Sequence, residues 1–206
     1  MSKNDEETYD EIKGLDPSFF KLNRDNYLNN LKLRFAHLNQ NSVIILRGGT
    51  YNPKYDTDTN IYYFEQECNF YYLTGVREPN MLFVLDIQSS EGTLFYDQPA
   101  EENKVWMNVP SLQDIEEKYG FKTYLKKDLE RFLQKRNMEI IYILDGINEM
   151  SGLPVYSAEL DFIGDYAYLN KKINHDKYIY MVLCDTRSVK NEREKKLLKY
   201  IAKISN

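Results

Sequence analysis

The apolar positions of this 206-residue chain repeat with two different periods, and each change of period marks an element. In "DPSFFKLNRDNYLNNLKLRFAHL", Tyr27, Leu28, Leu31, Phe35 and Leu38 recur at helical spacing. That predicts a helix after a proline turn, with Asn23 as its cap. "SVIILRGG" (42–49) is an unbroken apolar run stopped by glycine, the pattern of a strand covered on both faces. "MLFVLDI" (81–87) and "GTLFYD" (92–97) flank the turn "QSSEG" and predict a hairpin. Ser111 with Asp114 three residues on predicts a capped helix to Tyr119. "KKDLERFLQKR" (126–136) reads as a second amphipathic helix and "EIIYILDG" (139–146) as another buried strand. The aromatic segment 61–74, ending in "CNFYYLTG", reads as strand, as does "DKYIYMVLCDTR"; "LDFIGDYAYL" is ambiguous. Asn191 and Glu194 open a last capped helix, "NEREKKLLKYIAKISN", whose apolar positions are Leu197, Leu198, Ile201 and Ile204. Strands alternating with helices predict an α/β domain with a mixed sheet covered by helices. No Gly or Pro stops the last helix, so its stripe is expected on this domain or on a segment beyond residue 206.

Composition narrows the function classes. With 42% hydrophobic and 14% aromatic residues, including 18 tyrosines, a real core can form. A net charge of −5 argues against a nucleic-acid surface, which is normally basic. No apolar run is long enough to span a bilayer, and the start "MSKNDEETYDEIKG" is polar and acidic, unlike a signal peptide. Cys68 and Cys184 are then expected as reduced thiols of a cytoplasmic protein.

One stretch imitates a metal site. "DTDTNIYYFEQE" (56–67) places Asp56, Asp58, Asn60 and Glu67 as a calcium loop would. The sharp turn of such a loop needs glycine at its sixth position, and here Ile61 stands there. The flanks do not read as helices either, so these acids are expected to cap turns rather than bind metal. His37 and His175 are the only histidines and read as surface residues, so no metal cluster and no catalytic set is expected in this chain. G-x-S-x-G, P-loop and G-x-G-x-x-G motifs are absent.

The aromatic segment also carries a resemblance. "YDTDTNIYYFEQECNFYYLTGVREPNMLFVLD", with Asp58, Phe64, Gln66, Glu67, Phe70, Tyr72, Leu73 and Gly75 in pattern, resembles the N-terminal domain of the prolidase, aminopeptidase P and creatinase family. "YDTDT", "LTGVREP" and the Trp-Met pair are similar to eukaryotic Xaa-Pro dipeptidases in particular. Arg187, Lys190 and Glu194 resemble the family's entry into its catalytic domain, R-x-x-K-x-x-x-E. Glu65 stands where the family often has Arg, Cys68 where it has Ser, and Asn108 where it has Gly.

The resemblance implies a ribonuclease-H-like three-layer α/β/α sandwich around a mixed sheet. It implies a flexible segment over 1–16, the domain over 17–186, and a linker with a first helix over 187–206 leading to an absent catalytic domain. In the full-length enzyme it implies hydrolysis next to proline in Xaa-Pro peptides, two divalent cations, usually manganese, and a homodimer whose N-terminal domains close the active site. A stand-alone binding or scaffold module derived from this domain is the alternative. Trp106 lies in "PAEENKVWMNVPS", a polar stretch between Pro99 and Pro110 that reads as a surface loop. The resemblance implies that it lines the partner's substrate pocket across the dimer, with an indole exposed in the chain alone.

Overall fold

The computed structural model describes residues 16–35, 38, 41–51, 64–105, 108–148, 150–154 and 172–205. His37, Asp56, Asp58, Asn60, Ile61, Trp106 and the ambiguous "LDFIGDYAYL" lie outside the described residues.

The first helix, α1 (Pro17–Arg34), begins earlier than expected. Asp16 caps it, accepting from the backbone N–H groups of Ser18 (2.8 Å) and Phe19 (3.1 Å), while Pro17 takes the position where its missing N–H costs nothing. Asn23 is therefore not the cap. It is buried inside the helix and donates to the Tyr72 carbonyl at 3.0 Å.

Six strands form one mixed sheet: β1 (Ser42–Arg47), β2 (Met81–Asp86), β3 (Gly92–Tyr96), β4 (Lys122–Leu125), β5 (Ile140–Ile143) and β6 (Ile173–Asn174). Their order is β4-β3-β2-β1-β5-β6. The β2–β3 hairpin is antiparallel, β1 pairs antiparallel with β2 and parallel with β5, and β4 and β6 add parallel edges. Because side chains alternate across a strand, the apolar runs feed both faces. Ile44, Leu46, Phe83, Leu85 and Leu94 meet Tyr27, Leu28 and Leu31 of α1 on one side. Val43, Ile45, Val84, Phe95 and Ile141 meet Leu129 and Leu133 of a helix on the other. Each such side chain, fully buried, contributes about 1.5–3 kcal/mol.

Two segments expected as strands are helices. α2 (Cys68–Thr74) covers "CNFYYLT": Glu67 accepts from Asn69 N–H and Phe70 N–H at its start, and Gly75 ends it at φ 71°. A Cβ on Gly75 would also run into the Phe20 ring at 2.3 Å. The later segment forms α5 (Lys177–Ser188), capped by Asp176, with Ile179, Val182, Leu183 and Thr186 buried. That spacing is helical, and it outweighs the strand preference of Tyr, Ile and Val.

Between these lie α3 (Leu112–Tyr119) and α4 (Leu129–Lys135), and the described chain closes with α6 (Glu192–Ile204). Helices α1, α2, α3 and α5 contribute to the core on one face of the sheet and α4 to the core on the other. The result is the expected three-layer α/β/α sandwich.

Candidate functional site

The carboxyl ends of β1 and β3 and the amino end of β2 lie together at one end of the strands, where Arg47 pairs with Leu82 and Met81 with Tyr96. The carboxyl ends of strands are where α/β sheets commonly receive ligands. A cleft of about 420 Å³ lies beyond these ends. Tyr51, Phe64 and Tyr96 supply its aromatic wall, with the Tyr51 and Phe64 rings edge-to-face at 5.6 Å.

The loop bearing Phe64 is bolted to the sheet by Gln66. Its Oε1 accepts from Gly49 N–H (2.6 Å) and Glu67 N–H (2.9 Å), and its Nε2 donates to the Glu78 carbonyl at 2.9 Å. The approach is close enough that a Cβ on Gly49 would sit 3.0 Å from the Phe64 ring, which accounts for the glycine pair after β1.

The polar end of the cleft is built around Glu78. Its Oε1 accepts from Lys118 Nζ at 2.8 Å, whereas Oε2 is buried and finds no hydrogen bond of normal geometry among the described residues. Tyr119 stands beside them: its hydroxyl accepts from Arg77 N–H at 3.2 Å, and Lys118 Nζ lies 5.1 Å over its ring. Burial, and then the acceptor carboxylate of Glu78, push the Tyr119 phenol up. Tyr96 is pushed up by burial, then by Glu78, Tyr51 and Asp97. Arg77 reaches the surface, donates to Tyr71 Oη at 3.2 Å and lies over the Tyr71 ring at 5.8 Å. This arrangement can hold a ligand. Among the described residues it pairs no nucleophile with a base.

A second feature lies at the start of α6. Arg187 donates to Asn69 Oδ1 and to Cys68 Sγ, and its guanidinium lies 5.6 Å over the Tyr72 ring. Burial, and then Glu67, push the Cys68 thiol up, against the pull of Arg187, so it is poorly disposed to act as a thiolate. Asn191 and Glu194 form a reciprocal capping box at the start of α6, and Asn191 Nδ2 also donates to Asn23 Oδ1 at 2.9 Å. Arg193 donates to Ser18 Oγ at 2.6 Å. The first turn is thus clamped by polar bonds, yet no residue of α6 is buried. Its Leu197 and Leu198, with Phe19, Phe20 and Tyr72, line an open apolar groove of about 370 Å³.

The residues singled out in the sequence fall as follows. Glu67, read as a structural acid, is the cap of α2. Trp106 lies outside the described residues, but the loop that carries it borders the cleft through Pro99, Asn108 and Pro110. His175 is exposed, with Nδ1 2.9 Å from Asp145 Oδ2. Among the described residues no three His, Cys, Asp or Glu side chains come together as metal ligands. None of those helices is long and apolar enough to cross a membrane. Sequence reasoning missed Arg77, Glu78 and Lys118 as a group. Nothing in their spacing announces it, because the sheet and α3 bring them together.

Three comparisons with known proteins bear on this geometry. The family described as aminopeptidase P, N-terminal domain, matches residues 20–142. The Xaa-Pro dipeptidases of Homo sapiens and Rattus norvegicus are each 28% identical over 191 residues, covering 92% of this chain and 37% of theirs. The chain thus spans little more than a third of the length of these relatives. Among solved structures, one assigned as an aminopeptidase P from Bacillus anthracis superposes with a TM-score of 0.66 at 24% identity, covering 90% of this chain and 43% of that one. Zinc-substituted E. coli aminopeptidase P in complex with product superposes at 0.51 with 15% identity, covering 82% and 32%. At these identities the superpositions speak for the fold.

Proposed function

The chain belongs to the aminopeptidase P N-terminal domain family, and on that premise we propose that it is the non-catalytic N-terminal domain of a cytoplasmic Xaa-Pro dipeptidase. Residues 17–186 form the domain, and 187–206 lead into a catalytic domain that holds two divalent cations, manganese in this reading. The cations supply an activated water and polarise the scissile carbonyl. The described residues offer no ligand set for such a centre, and no step of the hydrolysis is assigned to them. This chain contributes the homodimer contact and closes the mouth of the active site. Trp106 lies on the loop bordering the cleft and presents its indole to substrate across the dimer.

The observation that carries this reading is α6. Its first turn is clamped to α1 and its cap is complete, yet Leu198, Ile201 and Ile204 stay in solvent. A helix so held, with its stripe unpaired, suits one that continues into a further domain, and the chain spans 37% of its Xaa-Pro dipeptidase relatives.

Trp106→Ala in the full-length protein tests the site assignment. The expected result is a raised KM or a reduced kcat/KM for Xaa-Pro dipeptides with the melting temperature almost unchanged. Normal kinetics per folded molecule, with stability reduced by the roughly 3–5 kcal/mol of a truncated buried Trp, would refute it.

A further inference from the structure

We infer that the apolar groove between α1, α2 and α6 is the seat of the chain's own acidic N-terminal segment, residues 1–15, with Ile12 and Leu15 placed against Leu197 and Leu198. That segment lies outside the described residues, but its point of attachment does not. Asp16, where it joins α1, sits at the root of α6: Arg193 Nη2 is 3.5 Å from Asp16 Oδ2, and Arg193 also donates to Ser18 Oγ. With Asp16 as the cap and Pro17 first in the helix, Leu15 takes the position before the cap and Phe20 the fourth helical position. Apolar residues at those two positions commonly pack together and fix the angle at which the chain enters a helix. Phe20 lines the groove, so such a contact directs residues 1–15 across it.

Length, pattern and charge agree with that path. Leu198 stands five residues beyond Arg193 on α6, about 7 Å of helix. The chain from Asp16 back to Ile12 spans up to about 13 Å, enough to reach it. Tyr9, Ile12 and Leu15 recur at every third position, the spacing of neighbours on one side of a helical turn. Residues 1–15 hold five acids against two lysines, whereas 187–204 hold seven cations against two acids, so the two stretches attract on net charge. The ionic groups that line the groove, Arg187, Lys190 and Glu194, already bond to neighbours and serve as its rim, not as ligands. A second copy of the chain is the poorer occupant. A stable dimer covers about 800 Å² on each partner, and a groove of about 370 Å³ receives a few side chains. Docked there, the segment fastens the apolar root of α6 to α1 and leaves Ile201 and Ile204 to another surface.

This inference goes beyond the proposed function and does not rest on it. The test is zero-length carbodiimide cross-linking of acids to lysines, mapped by proteolysis and mass spectrometry, in the 206-residue chain and in the full-length protein. Links within one chain should join Asp10 or Glu11 to Lys190, Lys195 or Lys199. Their yield should fall about threefold or more in Ile12→Ser, with the melting temperature nearly that of the parent, and again in about 1 M salt, which screens the attraction. Amide exchange at Leu197 and Leu198 should quicken in the same variant. Absence of these links, links from the segment to other surfaces alone, links only between two copies, or a yield indifferent to Ile12→Ser would each overturn the assignment. Links present in the 206-residue chain that vanish in the full-length protein would overturn it too, giving the groove to the further domain. Gly-Pro hydrolysis by the full-length protein, present or absent, leaves this result unaffected.

Discussion

Helices α3 and α6 begin in the same way and end differently. Ser111 with Asp114, and Asn191 with Glu194, each form a reciprocal capping box, and both helices set their apolar residues on one side. In α3 the stripe is used: Ile115 is 1% exposed and Tyr119 9%. In α6 it is not, with Leu198 at 51% and Ile201 at 44%. A cap fixes where a helix starts and supplies about 1 kcal/mol; it does not decide what the helix packs against. The difference teaches that α6 is held by its root, through Asn191 and Arg193, and that its apolar face is available to another surface.

The contrast can be broken most sharply by truncating both stripes. Ile115→Ala should cost about 2–5 kcal/mol, because it opens a cavity against Tyr119 and the sheet, whereas Ile201→Ala should stay within about 0.5 kcal/mol. Urea unfolding of the two variants measures both. Equal losses would mean that α6 is packed in solution and that the comparison is wrong.

A smaller effect separates the caps. Ser111→Ala should lower global stability by about 1 kcal/mol, since α3 belongs to the core. Asn191→Ala should leave the unfolding midpoint nearly in place and strip hydrogen-exchange protection from α6 alone. A global loss from Asn191→Ala matching that from Ser111→Ala would show that the clamp on α1 is part of the cooperative unit.

The same pair of helices shows what was legible in the sequence. Both capping boxes, the β2–β3 hairpin and the buried run of β1 stand in the chain as local signals, and each is where it was expected. Cys68–Thr74 and Lys177–Ser188 were misread because Tyr, Phe, Ile and Val favour strands on their own. The overriding signals were also local: Glu67 two and three residues before the amides it caps, Gly75 as the stop, and buried positions 179, 182, 183 and 186 at helical spacing. Asp16 with Pro17 was likewise a better start for α1 than Asn23, whose amide serves Tyr72 instead. The site was less legible. Its residues come from 51, 64, 77–80, 96 and 108–118, and only the sheet register and α3 make them neighbours. The family motif did mark Gln66 and Glu67, but their work is to fasten the loop and start a helix, which spacing alone does not reveal.

The smallest expected effect concerns acid. The Asp114 carboxyl lies below the ordinary 3.8, first through the Ser111 hydroxyl and then through the Ser111 backbone N–H. A depressed carboxyl contributes stability that is fully present above its unfolded value and is lost as pH falls through its folded one. The Ser111 amide resonance should therefore move below about pH 4 as the box opens, and Asp114→Asn should flatten that titration. A transition unchanged in Asp114→Asn would assign it to another group.

The central claim is that this chain is the non-catalytic part of an Xaa-Pro dipeptidase. Gly-Pro hydrolysis in the presence of manganese, measured side by side for the 206-residue chain and for the full-length protein, tests it most directly. The account predicts turnover by the full-length protein and none above background by the chain alone. Turnover by the chain that survives repurification, or a full-length protein that leaves Gly-Pro intact, would contradict it.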